Sequence, residues 1–203
     1  MYKHFFKRVI DFFIALILSP FILLVTIFVA IAIKIDDGGS VFYNANRIGK
    51  GGKLFKMYKF RSMKVNSPDL RLPDGSTFNS VNDPRLTKVG KFLRKTSIDE
   101  LPQIYNVLFG KMSFIGPRPD SPSFLGKHAP DELCVLDVRP GITGYNQAIN
   151  RNSVLTKEKI RNDVYYVQHL SFAFDCKIVW LTIKSVLSRK NVYRDTAFGE
   201  ILP

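Results

Sequence analysis

Residues 94–119 read RKTSIDELPQIYNVLFGKMSFIGPRP, and the rest of the chain is arranged around them. Leu101, Ile104, Tyr105 and Leu108 recur at helical spacing, and Gly110 follows where a helix would stop. Pro102 is tolerated in a first turn, because the N–H groups there have no intrahelical partner. That places the helix start near Asp99, the expected N-cap. Ser97 and Glu100 also fit a capping box, but a cap at Ser97 pushes Pro102 beyond the first turn. Either way Asp99 and Glu100 sit at the positive end of a helix dipole, an end that favours negative charge and also binds phosphates. Two such carboxylates are more often caps than chemistry. The flanks change that reading: Arg94 and Lys95 precede the pair, and Arg118 follows between two prolines that restrict its backbone. A carboxylate pair among guanidinium groups suits a phosphate ester held by Mg2+.

Upstream, residues 12–33 form a continuous apolar run long enough to cross a bilayer. It is too long for a secretory signal and lacks a small-residue cleavage site. By length alone it is a single transmembrane helix. Ser19-Pro20 near its middle argues for a break, since proline removes a helix hydrogen bond. Basic residues lie on both flanks: Lys3, Lys7 and Arg8 before, Lys34, Arg47, Lys50, Lys53 and Lys56 after. A spanning helix would put one basic flank outside, against the positive-inside tendency. A helix that enters and returns keeps both flanks in the cytosol. Sequence physics alone leaves the two topologies open.

Residues 36–40 are polar and Gly-rich and read as the exit from the membrane. Residues 41–44 and 54–62 are aromatic-rich and separated by Gly49-Lys50-Gly51-Gly52, a pattern that predicts a β-hairpin with a longer loop. Lys59 and Arg61 on the second strand are substrate-binding candidates, or a solvated strand face. Residues 65–84 contain Pro68, Pro73, Asp74-Gly75 and Asp83-Pro84 and predict a long irregular loop of the kind used as a lid. Val89, Phe92 and Leu93 predict a short helix delivering Arg94.

Downstream, His128 has no nearby ligand partner and reads as a surface histidine. In residues 137–144, DVRPGITG, Arg139 is held before Pro140, and Gly141 and Gly144 allow close backbone approach to a ligand. Residues 175–190 are amphipathic, with Cys176, Val179, Trp180, Ile183, Val186 and Leu187 in one stripe flanked by Lys177, Lys184, Arg189 and Lys190. The stripe faces either a protein core or a membrane interface. Residues 191–203 match no pattern and read as a loose tail.

The chain has 203 residues and a formal net charge of +13. This length allows one domain with a real core. The charge calls for a polyanionic partner: nucleic acid, an anionic membrane surface or a phosphorylated substrate. Cys134 and Cys176 stand alone without metal-ligand spacing, as free thiols of a protein facing the cytosol.

The segment R-x-x-S-x-D-E-L-P-Q-x-x-N-V-L-x-G-x-M-S-x-I-G-P-R-P, carried here by Arg94, Ser97, residues 99–103, 106–108, Gly110, Met112-Ser113 and residues 115–119, resembles the signature of the bacterial sugar transferases, the monotopic phosphoglycosyl transferases. Residues 59–63, residues 137–144, and Asp163, Tyr165-Tyr166 and Ser171 are also similar to that family. The resemblance implies an α+β fold: a re-entrant membrane helix over residues 1–35, broken at Ser19-Pro20, and a catalytic domain over residues 36–203 with interfacial helices, a small hairpin and much irregular chain. It implies a bacterial inner-membrane enzyme on the cytoplasmic face. Such an enzyme moves a sugar 1-phosphate from a UDP-sugar to polyprenol phosphate and releases UMP, the first membrane step of surface glycan synthesis. Asp99 is then the covalent nucleophile, Glu100 and Asp99 the Mg2+ ligands, and Lys59, Arg61, Arg94, Arg118, Arg139, Gln147 and Arg151 bind substrate. Inner-membrane lipids are partners and nucleic acid is not. Resemblance to short family members points to an N-acetylated amino sugar. The chain departs from the family's G-x-A-Q-x-x-G-R pattern, with Asn146 and Asn150 at the alanine and second glycine positions, and it has Ala45 where glutamine is common. The competing class is a non-catalytic peripheral protein that binds anionic lipid or nucleic acid through its charge.

Overall fold

The computed structural model describes residues 1–70, 78, 80, 83–150, 154 and 156–188. Its first element decides the layout. After a π-helical turn over Tyr2–Phe6, helix α1 covers Lys7–Asp37, 31 residues and about 46 Å at 1.5 Å per residue. Among the described residues it is the one helix long and apolar enough to cross a membrane. Lys7, Asp11, Ala15, Ile22, Val29 and Ile33 form one buried stripe at helical spacing. Phe13, Ile17, Phe21, Leu24, Phe28, Ile31 and Ile35 form another, and each is more than half exposed. The helix therefore offers one face to protein and a wholly apolar face to its surroundings.

The break expected at Ser19-Pro20 is not an interruption, because Pro20 lies inside a single helix. Proline has no N–H for the Leu16 carbonyl, and the Ser19 hydroxyl donates to that carbonyl instead at 2.9 Å. The Tyr105 hydroxyl donates to the Ser19 carbonyl at 3.2 Å.

The remaining chain is α+β and is tied to α1 from end to end. The elements are β1 (Ala45–Ile48), β2 (Leu54–Met57), α2 (Lys88–Thr96), a 3-10 turn (Ile98–Glu100), α3 (Gln103–Leu108), β3 (Ser113–Ile115), β4 (Gly141–Thr143), α4 (Tyr145–Ile149), α5 (Thr156–Gln168) and α6 (Phe172–Ser188). Near the start of α1, Lys7 Nζ reaches Asp175 Oδ2 at 2.6 Å, Arg8 donates to the Val107 and Leu108 carbonyls, and Asp11 Oδ1 accepts from the Phe114 N–H. At its end, Asp37 pairs with Arg61, and Asp36 accepts from the Val89 N–H at 2.8 Å. Between them, Ala15 and Ile22 join a core with Phe55, Met57, Ile104, Val107 and Met112, and Val29 and Ile33 join one with Phe60 and Leu93.

The hairpin is present but shifted. β1 and β2 pair antiparallel from Ala45↔Met57 to Ile48↔Leu54, whereas residues 41–44 were expected as the first strand. The Gly49 N–H closes the turn onto the Lys53 carbonyl at 2.8 Å, so pairing runs up to the turn and residues 41–43 keep only single bonds to residues 59–61. A second, parallel pair joins β3 to β4 with Ser113↔Gly141 and Ile115↔Thr143. The amphipathic helix is α6. Ile178 and Asp175 face inward, while Val179, Trp180, Ile183, Val186 and Leu187 are exposed, so the stripe does not face a protein core. Arg151, most of residues 71–82, Arg189, Lys190 and the tail over residues 191–203 lie outside the described residues.

Candidate active site

Asp99 is not an α-helical N-cap. It sits in the 3-10 turn, and the α-helix begins at Gln103 behind Pro102. Pro102 cannot donate to the Ile98 carbonyl, which takes the Leu101 N–H instead at 3.1 Å, and three-residue bonds run on to Tyr105. The Asp99 carbonyl is thereby released from helix bonding and accepts from the Phe60 N–H at 3.0 Å. Ser97 opens the turn in a left-handed conformation, φ 59°.

That strand contact brings Lys59 to the carboxylates. Asn106 of α3 behaves as a substitute strand: its Oδ1 accepts from the Tyr58 N–H and its Nδ2 donates to the Lys56 carbonyl, both at 2.8 Å. Lys59 is then clamped between Asn106 and Asp99 through its own neighbours. Its ammonium lies 2.8 Å from Asp99 Oδ2 and 3.2 Å from Glu100 Oε1. Arg118 Nη2 reaches Glu100 Oε1 at 2.6 Å and its Nη1 reaches Oε2 at 3.4 Å. Asp99 is 3 % exposed, and no hydrogen bond among the described residues is given to its Oδ1. Burial pushes the Glu100 carboxyl up, but Arg118 and Lys59 outweigh it and hold the group well below the usual carboxylate range. The Glu100 charge in turn holds the Arg118 guanidinium firmly protonated.

The predicted binding residues divide. Lys59 and Arg118 converge on Asp99 and Glu100. Arg61 is 6 % exposed and bonds Asp37, the Ser40 carbonyl and the Met63 carbonyl, so it anchors the end of α1 and is neither a solvated strand residue nor aimed at the carboxylates. Arg94, carried by α2 as expected, donates to Ser62 Oγ at 3.1 Å. Arg139 donates to the Gly110 carbonyl at 2.8 Å and lines a different hollow with Lys3, Lys7 and Lys50. The side-chain amide of Gln147 is buried, with no partner for either atom among the described residues. Arg151 lies outside the described residues.

Gly141 and Gly144 do approach a backbone closely, but it is the chain's own. A Cβ at Gly141 would lie 2.2 Å from the Gly116 nitrogen, and one at Gly144 2.1 Å from the Gly116 oxygen. The DVRPGITG segment is the strand partner of the IGPRP segment: the Gly116 N–H donates to Thr143 and the Gly141 N–H to Pro117. The two stretches together fix the backbone that presents Arg118. The departures at Asn146 and Asn150 compensate each other, since Asn146 Oδ1 accepts from the amides of Asn150 and Asn162 and so joins α4 to α5.

Sequence reading missed a second polar group of residues behind Arg118. His128 is no surface histidine: its ring is 3 % exposed, with Nδ1 3.9 Å from Glu132 and Nε2 4.0 Å from Asp120. Asp163 on α5 is 4 % exposed, and its Oδ1 has no partner among the described residues. Burial raises its pKa to about 7, against the pull of Lys159. The available signals were the likeness of Asp163 to the family and its place as a carboxylate on the apolar side of α5. Because the folded pKa is raised, the proton is held more tightly folded than unfolded. Stability is fully present below the ordinary aspartate range and is lost as pH rises through about 7. Asp163→Asn is expected to melt near wild type below the ordinary aspartate range, at pH 3.5, and above it at pH 8. The gap should be at most roughly 4 kcal/mol, from the shift at 1.36 kcal/mol per unit. Thermal unfolding in detergent at the two pH values measures it, and equal gaps would mean that Asp163 does not titrate there.

With Mg2+, the fit is partial but real. Among the described residues no group of three His, Cys, Asp or Glu could hold a metal ion. Mg2+, however, typically takes one or two carboxylates and completes its shell with water and substrate phosphates. Glu100 Oε2, with a single 3.4 Å contact to Arg118, and Asp99 Oδ1 are the oxygens of the pair least bonded among the described residues.

The profile of the bacterial sugar transferase family matches residues 2–189. The chain belongs to that family. It is 41% identical over 189 residues to the galactosyl transferase CpsE of Streptococcus agalactiae, covering 89% of this chain and 42% of that protein. It is 40% identical over 190 residues to the UDP-N-acetylgalactosamine-undecaprenyl-phosphate N-acetylgalactosaminephosphotransferase of Aeromonas hydrophila, covering 91% and 44%. The chain thus spans less than half the length of these relatives. The uncharacterized sugar transferase EpsL of Bacillus subtilis, 37% identical over 188 residues, is matched over 92% of this chain and 89% of its own. The family match takes in the paired IGPRP and DVRPGITG strands, the Lys59 strand and the Asp99-Glu100 turn in one block.

Proposed function

We propose that this chain is a phosphoglycosyl transferase that moves a sugar 1-phosphate from a UDP-sugar to polyprenol phosphate and releases UMP. The observation that carries the reading is the partly buried cluster of Asp99, Glu100, Lys59 and Arg118, in which no hydrogen bond from the described residues occupies Asp99 Oδ1. A diphosphate needs cations at its oxygens and an acceptor for the transferring phosphoryl group, and this cluster offers both. A peripheral lipid-binding protein would have no use for a carboxylate held beside two cations. The experiment is UMP release from a panel of UDP-sugars, with purified protein, Mg2+ and a polyprenol phosphate.

In the proposed reaction Asp99 Oδ1 attacks the β-phosphorus. The bond from that phosphorus to the bridging oxygen breaks, and UMP leaves with the electron pair. Lys59 holds Asp99 Oδ2 and so fixes the attacking carboxylate. Arg118, itself oriented by Glu100, stabilises charge on the transferring oxygens. An oxygen of polyprenol phosphate then attacks the phosphosugar on Asp99, forming the diphosphate and restoring the carboxylate. Mg2+, held by Glu100 and Asp99, would supply neutralisation of the diphosphate charge. The names of relatives divide on the sugar, since both galactose and N-acetylgalactosamine occur among them. An N-acetylated amino sugar donor is our reading. Clear preference for UDP-glucose or UDP-galactose in the panel would end it.

We also place the protein on the cytoplasmic face of the bacterial inner membrane, with both ends of α1 on that side. Ion pairs or hydrogen bonds tie α1 to one polar domain at its start, middle and end. A hydrocarbon core is about 30 Å thick. Were α1 to cross it straight, the buried charges packed along the helix would have to enter lipid at high cost. Sinking the apolar face of α1 into one leaflet, with the exposed stripe of α6 beside it, avoids that cost. Single cysteines near Lys3 and Ser40, in a background lacking Cys134 and Cys176, should be equally protected from an impermeant thiol reagent in intact cells. Labelling at one end alone would mean a spanning helix.

A further inference from the structure

We infer that Lys59 is the counter-charge that keeps a divalent cation off the Asp99–Glu100 pair until a diphosphate arrives, so that metal and donor enter together. This rests on the donor being a UDP-sugar. Lys59 Nζ lies 2.8 Å from Asp99 Oδ2 and 3.2 Å from Glu100 Oε1, so one ammonium bridges two adjacent carboxylates. The oxygens left to a metal, Asp99 Oδ1 and Glu100 Oε2, belong to those same two carboxylates. An ion bound by both would therefore sit beside the ammonium or displace it. Among the described residues no third His, Cys, Asp or Glu joins the pair to hold a metal against that repulsion.

Charge balance points the same way. Asp99 and Glu100 carry two negative charges, and Lys59 and Arg118 carry two positive ones, with Arg118 Nη2 2.6 Å from Glu100 Oε1. Asp120, the other carboxylate that acts on Arg118, is taken by Lys159 at 2.5 Å. The cluster is thus neutral as it stands. A divalent cation alone would leave two uncompensated positive charges. The Asp99 side chain is buried and those of Lys59 and Glu100 largely so, which keeps solvent and salt from screening that excess. The diphosphate of a nucleotide sugar carries two negative charges and restores the balance. Mg2+ also prefers to complete its shell with substrate phosphates rather than with protein oxygens alone. Lys59 thereby has two tasks: it fixes the Asp99 carboxylate, and it sets the order in which metal is admitted.

The test uses the full chain in detergent, with Mg2+ alone as the probe, titrated by calorimetry without nucleotide. Lys59→Met should bind one ion per chain, about thirtyfold or more tighter than wild type. Lys59→Arg keeps the charge and should bind as weakly as wild type. Adding Glu100→Gln to Lys59→Met should remove the gained site, which puts the ion on the carboxylate pair. In wild type, UDP should bind about tenfold or more tighter with Mg2+ present than without it, because each brings the charge the other needs. Melting curves establish that each variant is folded, and Mg2+ should raise the melting temperature of Lys59→Met but not that of wild type. The wild-type titration stands without any variant: one Mg2+ per chain bound without nucleotide more tightly than about 0.1 mM would overturn the inference. So would a folded Lys59→Met that gains no site, or a gained site that survives Glu100→Gln. If UDP does not bind and no UDP-sugar yields UMP, the donor reading falls and takes the joint entry with it. The Mg2+ titrations contain no nucleotide and decide the role of Lys59 by themselves.

Discussion

Asp99→Asn is expected to abolish UMP release, by at least roughly a thousandfold, the scale on which loss of a nucleophile acts. The substitution keeps the size of the side chain and one oxygen, so a merely structural Asp99 would tolerate it better. It removes the charge that Lys59 Nζ meets at 2.8 Å and makes the amide a very poor nucleophile. Two mechanisms predict that loss, and a second measurement separates them. Wild-type protein incubated with labelled donor and no polyprenol phosphate, then quenched, should carry a phosphosugar on the peptide containing Asp99, and Asp99→Asn should carry none. If wild type forms no adduct, and kinetics require both substrates to bind before UMP leaves, polyprenol phosphate attacks directly and Asp99 is a metal ligand. A Lys59→Met control helps locate the effect, because it leaves the carboxylate in place and removes the group that orients it. Its rate should fall while the adduct still forms.

Gly141→Ala is expected to destabilise the whole domain and to remove activity as a consequence. An added Cβ would lie 2.2 Å from the Gly116 nitrogen and 2.7 Å from its oxygen, both backbone atoms with no rotamer to yield. Parallel strands β3 and β4 must then part, and the Gly116–Thr143 and Gly141–Pro117 bonds with them. Overpacking of this kind costs on the order of 3 kcal/mol or more, which for a chain of this size lowers Tm by roughly 10 °C. Arg118 loses its backbone support in the same event. Had Gly141 served to let a ligand approach, the same change would raise KM and leave Tm alone. Arg118→Ala provides the contrast: it should lower kcat with little change in Tm, because the guanidinium is 39 % exposed. Equal melting temperatures for Gly141→Ala and wild type would return the glycine to the ligand.

A good part of the site was readable before any coordinates. Asp99, Glu100 and Arg118 sit in one short stretch, and their spacing around a proline and a glycine already implied a turn beside a helix. The type of turn was not readable. Pro102 stops the α-helix behind itself, and the Asp99 carbonyl then finds Phe60, a partner 39 positions earlier that no local pattern announces. Arg61 and Arg139 illustrate the opposite error. Both are cations within segments like those of the family, yet one binds Asp37 and the other the Gly110 carbonyl. A charge in a sequence carries no direction, and the neighbour that takes up its donors is set by packing.

The sequence by itself determined the apolar N-terminal helix from its composition and the family from its contiguous motif, with the α+β class that the family implies; it named candidate carboxylates and cations but not which of them converge. Only the tertiary structure decided that α1 runs unbroken past Pro20, since the compensating bond from Ser19 depends on a rotamer. Only it decided that IGPRP and DVRPGITG are strand partners, and that His128 and Asp163 share a hollow behind Arg118. Each of these joins segments far apart in the chain, and pairing over such distances is governed by the fit of buried surfaces and unsatisfied backbone groups, which one segment read alone does not contain.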